Sequence, residues 1–314
     1  MTVRLMFYLK PRISAWSASA LDKINFKRKL IQLYSALLCN AYLKGFINGR
    51  IYRGDFKFLC SPGLNCYSCP AAVMACPLGA LQNALNNLNY KIGWYVLGII
   101  MLYGVMLGRS ICGWLCPVGL IQDLLYKIKS FKIKKSKFTR WLSYLKYFIL
   151  IYLVILTPLY YAVPGFCKYI CPAGTLSALA LLANSNNNKL FNMLGFLFAN
   201  KFIILIALSL ACVVCYRFFC RFICPLGAIY SLFNKFNIIG VKLDNNKCVK
   251  CNACVNFCKL DIKHVGDHEC INCGECVKTC NYNAINFSLI NLNKRAALAF
   301  ALIILFSSLI YFNF

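Results

Sequence analysis

Between Cys248 and Cys280 the chain places eight cysteines in two runs of one spacing: Cys248-x2-Cys251-x2-Cys254-x3-Cys258, then Cys270-x2-Cys273-x2-Cys276-x3-Cys280. A cubane [4Fe–4S] cluster needs four converging thiolates. In two-cluster ferredoxins the fourth cysteine of each run ligates the other cluster. The spacing therefore predicts one cluster on Cys248, Cys251, Cys254 and Cys280, and a second on Cys258, Cys270, Cys273 and Cys276. The chemistry is one-electron transfer. A disulfide framework or a zinc module does not generate two in-phase runs of this kind. Lys259 and Asn281 stand where a proline usually follows the last cysteine, a departure that leaves the ligand set intact.

A second cysteine pattern repeats through the rest of the chain. It reads Cys76-Pro-Leu-Gly, Cys116-Pro-Val-Gly, Cys171-Pro-Ala-Gly and Cys224-Pro-Leu-Gly, with Cys112, Cys167 and Cys220 four residues before the last three. Proline is favoured at the first position of a helix, so each element is predicted to open one. The preceding cysteine then lies at the helix N-terminus, where free N–H groups favour a thiolate. The plainer reading makes these cysteines small core residues at helix boundaries. Four copies, three with a paired cysteine, favour ligation. The expected inner set is Cys112, Cys116, Cys220 and Cys224. For an outer set, four of Cys60, Cys66, Cys69, Cys76, Cys167 and Cys171 suffice, and the spacing leaves open which. Cys212 and Cys215 are spare ligands or packing; Cys39 is structural.

The elements that must position these groups are apolar. Hydrophobic residues make up 61% of the chain and charged residues 14%. A membrane span needs about 20 apolar residues. The expected spans are Leu30–Ile47, Ile92–Leu107, Trp141–Val163, a segment within Leu190–Phe219, and Ala296–Phe312, the last of which could instead lie along the interface. Lys146 and Lys201 interrupt two of them, and helix tilt, snorkelling lysines or locally thinned lipid could accommodate these. The fold class is a polytopic α-helical membrane protein with four to five spans and an α+β double-cluster ferredoxin module. Its parts are a basic cytoplasmic tail (1–29), a helical membrane domain (30–240), the ferredoxin module (241–290) and a C-terminal membrane or interfacial helix (291–314). With the N-terminus inside, cytoplasmic segments hold 26 Lys or Arg and outer loops 7. This bias puts the module in the cytoplasm, on the inner (cytoplasmic) membrane. The net charge of +27 is thereby explained by topology, cluster charge and acidic lipid, leaving nothing for nucleic acid.

Together these residues resemble the membrane 4Fe–4S polyferredoxin family that includes the NapH-type quinol dehydrogenase subunits. The resemblance runs through Asn40-Ala41-Tyr42, Pro62-Gly63-Leu64-Asn65-Cys66-Tyr67-Ser68-Cys69-Pro70, Cys76 to Gln82, the Cys-x3-Cys-Pro pairs and the double-cluster module. It covers nearly the whole chain but separates the branches of the superfamily poorly; these include nitrous-oxide-reductase regulators, amine-dehydrogenase maturation proteins and cytochrome-oxidase assembly proteins. The resemblance implies oxidation of membrane quinol, with electrons passed to a partner redox protein. An alternative is a maturation factor that supplies reductant to another metalloenzyme, with electrons entering from the cytosol. A third reading, a structural adaptor, predicts tolerance to cluster loss.

Other cofactors find no support. There is no Cys-x-x-Cys-His, and the only histidines, His264 and His268, lie in a loop of the module rather than in a span, so haem is not expected. No Gly-x-Gly-x-x-Gly fingerprint points to NAD. Outside the module the acids are Asp22, Asp55 and Asp123. Asp55 and Asp123 are the carboxylates available to take quinol protons, although such residues are more often caps or ion-pair partners. With the two membrane sets at opposite hydrocarbon boundaries, about 30 Å would separate them.

Overall fold

The computed structural model describes residues 15–86, 94–133, 135–184 and 195–289. The expected last span, Ala296–Phe312, and the first half of the basic tail lie outside the described residues. In chain order the main elements are α1 (Ala15–Cys39), α2 (Pro77–Asn86), α3 (Trp94–Leu107), α4 (Ser110–Trp114), α5 (Pro117–Leu125) and α6 (Lys137–Tyr161). They continue with α7 (Pro172–Asn184), α8 (Phe196–Val214), α9 (Pro225–Phe233), β1 (Ile239–Leu243), α10 (Ala253–Phe257), α11 (Glu275–Thr279) and β2 (Ile285–Leu289).

All four Cys-Pro elements open helices: α2, α5, α7 and α9. Cys116 and Cys224 hold extended backbone, with ψ of 122° and 114°, as a residue before proline must. The Gly227 N–H donates to Cys224 Sγ at 3.4 Å, so the free end of α9 already engages the sulfur. A short helical turn before each of the last three elements carries the partner cysteine. Cys112 lies in α4, Cys167 in Gly165–Tyr169 and Cys220 in Phe219–Ile223.

Two described helices are long and apolar enough to cross a bilayer, α6 with 25 residues and α8 with 19. Helix α3 has 14 residues, about 21 Å at 1.5 Å per residue, short of the ~30 Å hydrocarbon core. The stretch Leu30–Ile47 is not one span. Helix α1 starts well before it and stops at Cys39, where the Asn40 amide bonds back to the Ala36 carbonyl and Val73 N–H takes the Cys39 carbonyl. In α6, Pro158 has no N–H to donate, and the turn before it, Leu150–Leu156, is wound wide as a π-helix.

The module is α+β, as expected. β1 and β2 pair antiparallel, with Val241 opposite Phe287, and the two short helices pack on each other. One buried core runs from Leu64 and Cys76 through Cys112, Cys116, Cys171, Cys220 and Cys224 to Cys270 and Ile271. The module is therefore not a tethered soluble ferredoxin. Its acids pin it down: Glu269 meets Arg109 at 2.5 Å and also Lys146, Asp267 meets Arg140 at 3.1 Å, and Asp261 meets Arg221. Lys146 does not snorkel. Its side chain is fully buried and points to Glu269. Asn234 completes the joint, donating to the carbonyls of Asp267 at 2.6 Å and Cys270 at 2.9 Å.

Candidate iron–sulfur sites

The two module sets line separate cavities. Cys248, Cys251, Cys254 and Cys280 border one of about 280 Å³. Cys258, Cys270, Cys273 and Cys276 border a second, narrower one of about 20 Å³. Each cavity is thus bordered by the four thiols that the spacing assigns to one cluster. Burial pushes the Cys258 thiol up to about 11 and Cys273 up to about 12.

The four cysteines of the expected inner set also lie near one another. Cys224 lies within electrostatic reach of Cys220, Cys112 and Cys116, and all four are buried. On the other side of the core, Cys167 and Cys171 reach Cys76 and Cys66. Four of the six outer candidates are thus brought together. Cys69 stands beside them, packed with Ala71 and Ala72. Cys60 pairs its backbone with Ala75, its carbonyl accepts a hydrogen bond from Tyr103, and its thiol lies within electrostatic reach of Cys76. Among the described residues no three Cys, His, Asp or Glu side chains close tightly enough on one point to hold a single metal ion. A cubane binds each thiolate at a different iron and so holds its ligands farther apart than one tetrahedral zinc does.

The expected 30 Å gap between the membrane sets is not present. The loop bearing Cys66 dips into the core: a Cβ on Gly63 would lie 2.9 Å from Cys116 Cα, and Tyr230 donates to the Pro62 carbonyl at 3.0 Å. Tyr230 lies within electrostatic reach of Cys76 on one side and of Cys112 and Cys116 on the other. A second close approach joins the inner set to the module, where a Cβ on Gly113 would meet the Ile271 carbonyl oxygen at 2.4 Å. Trp114 donates to the Asn272 carbonyl at 2.8 Å beside it.

Sequence reasoning missed two glutamines. Gln122 donates to Cys220 Sγ at 3.0 Å, and Gln82 donates to Cys167 Sγ at 3.6 Å. Each stands six residues after the cysteine of its Cys-Pro element and reaches the first cysteine of the opposing pair. The shared offset was the available signal. Cys212 is a neighbour of this arrangement, its Sγ facing Gln122 Oε1 at 3.7 Å. Asp123 is committed to Arg217, at 2.7 Å, and Arg28, which hold its carboxyl below the usual range despite burial. His268 contacts Asp267 at 2.6 Å, and His264 borders the first module cavity.

The 4Fe-4S binding domain family matches this chain at residues 95–136, 144–184 and 200–245, each segment containing one Cys-x3-Cys-Pro pair. The chain is 33% identical to the uncharacterized protein MJ0749 of Methanocaldococcus jannaschii, over 54% of this chain and 57% of that protein. It is 25% identical to the methylamine utilization ferredoxin-type protein MauN of Methylobacillus flagellatus, over 52% of this chain and 51% of that one. It is 23% identical to the ferredoxin-type protein NapH of Haemophilus influenzae, over 51% and 50%. The chain is similar to these ferredoxin-type proteins and carries three segments that match a 4Fe-4S binding domain. The matches span little more than half of each relative's own length. No solved structure matches the chain.

Proposed function

We propose that this is a multi-pass protein of the inner (cytoplasmic) membrane, its module in the cytoplasm, that passes electrons from membrane quinol to a partner redox protein. One observation carries the reading: four cysteine sets lie in contiguous order. They run from Cys66, Cys76, Cys167 and Cys171, past Gly63 and Tyr230, to Cys112, Cys116, Cys220 and Cys224. They continue past Gly113 and Ile271 to the second module set and end at the first, where Cys251 is exposed. A [4Fe–4S] cluster held by such a set takes up or releases one electron. Oxidation of one quinol to quinone releases two electrons and two protons, so two sets suffice for the electrons, and the protons go to solvent. Helices α6 and α8 supply two spans, and the 26-to-7 charge bias supports a cytoplasmic module.

The exposed first set also supports the reverse direction, with reductant entering from the cytosol to serve maturation of another metalloenzyme. The deciding experiment mixes a reduced quinol analogue with reconstituted protein and follows bleaching of the visible cluster bands. Bleaching by quinol, abolished in Cys116→Ala while the module keeps its iron, is the expected result. Bleaching by dithionite but never by quinol overturns the quinol reading and leaves the reverse direction.

A further inference from the structure

Beside the joint between α1, α5 and the module lies a cavity of about 520 Å³ that electron transfer leaves unused. Its charged lining is Arg28, Lys29, Lys127 and Lys259 with Asp123 and Glu275. Both acids are already engaged, Asp123 by Arg217 at 2.7 Å and Glu275 by Lys259 at 3.2 Å. Arg28 is 2% exposed. Its Nη2 reaches Asp123 at 3.1 Å and Glu275 at 3.8 Å and donates to Asn25 at 3.3 Å, but Nε and Nη1 have no hydrogen-bond partner. Open donors on a permanently charged buried group are costly, and a guanidinium offers them in a fork shaped for an oxyanion. Lys29 and Lys127 line the same cavity, and burial with the nearby Lys127 charge pushes Lys29 down to about 8. Neither forms an ion pair among the described residues.

We propose that this cavity binds a phosphate-type anion, held by Nε and Nη1 of Arg28 and by the ammonium groups of Lys29 and Lys127. Such an anion satisfies the open guanidinium donors and relieves the lysine–lysine repulsion at once. Two sources offer this chemistry. Leu30, Leu33 and Leu37, exposed on the following turns of α1, put the cavity at the polar end of an apolar helix surface, where a lipid headgroup sits. Free phosphate in the cytosol is the other. The inference stands whichever way electrons flow. It also has a consequence for them, because Arg28 acts electrostatically on Cys273 and its occupant would alter the field at the second module set.

The test uses the full chain, stripped of lipid in a neutral detergent. Calorimetric titrations compare inorganic phosphate, short-chain phosphatidylglycerol and short-chain phosphatidylcholine. The expected result is one-to-one binding of the first two in mutual competition, weakened about tenfold or more by Lys29→Gln together with Lys127→Gln. These lysines are partly or fully exposed, and an unchanged iron content shows the variant folded. Tighter phosphatidylglycerol assigns the site to a lipid headgroup; phosphate as tight or tighter assigns it to the soluble anion. No binding, equal binding of phosphatidylcholine, or an unchanged affinity in the double variant overturns the proposal.

Discussion

Replacing Glu269 by Gln leaves the Arg109 guanidinium and the Lys146 ammonium buried without a counter-charge. The Glu269 side chain is 2% exposed, and Arg109 and Lys146 are equally enclosed. Burial opposes its ionisation, but the two cations win and hold its carboxyl at about 2, against an ordinary 4.5. That depression is worth about 3 kcal/mol, within the roughly 3–5 kcal/mol that breaking a buried ion pair costs. Because the folded value is depressed, the stabilisation is complete above pH 4.5 and is lost as pH falls toward 2. Mild acidification to pH 5 should therefore leave the module docked, and pH 3 should loosen it. Glu269→Gln should loosen it at pH 7. Amide hydrogen exchange over residues 262–272 reads this directly, with protection falling about a hundredfold for a loss near 3 kcal/mol. Adding Lys146→Met should restore part of the protection by removing one orphaned charge. Wild-type protection in Glu269→Gln would refute the claim that this ion pair fastens the module.

Gly113→Ala places a methyl 2.4 Å from the Ile271 backbone oxygen and should undock the same segment by about 1–3 kcal/mol, slowing electron passage from the inner set to the module in stopped-flow reduction. Cys66→Ser should remove about four irons by chemical analysis, whereas Cys69→Ser should remove none, because Cys167 and Cys171 each lie within electrostatic reach of Cys66 and Cys76. Gln122→Leu deprives Cys220 of a hydrogen-bond donor and should lower the potential of the inner set by about 50 mV in a redox titration, roughly 1 kcal/mol for one electron.

Local chemistry was legible in the sequence. Proline at a first helical position and a cysteine before it told where α2, α5, α7 and α9 begin, since those preferences act within one turn. The grouping of the module cysteines around two separate cavities follows the spacing for the same reason. What failed to show was set by contacts far apart in the chain. Lys146 read as an interruption of a span because its partner, Glu269, is 123 residues away. The loop from Pro62 to Cys66 read as an external segment because nothing local reveals that Gly63 packs on Cys116. Choosing Cys66 over Cys69 needed the positions of Cys167 and Cys171. The end of α1 was obscured because Leu30–Ile47 is mostly apolar, and the helix stop is marked by the Asn40 amide bonding back to the Ala36 carbonyl and by the bond from Val73 to the Cys39 carbonyl.

The central claim is that four cysteine sets, two in the module and two in the helical core, hold clusters in a contiguous line. Iron and acid-labile sulfide analysis of anaerobically purified full-length protein tests it most directly. The account predicts about sixteen of each per chain, falling to about twelve in Cys224→Ser with the module signals in electron paramagnetic resonance retained. A full-length value of about eight, unchanged by Cys224→Ser, would contradict it and leave the Cys-Pro repeats as helix starts alone.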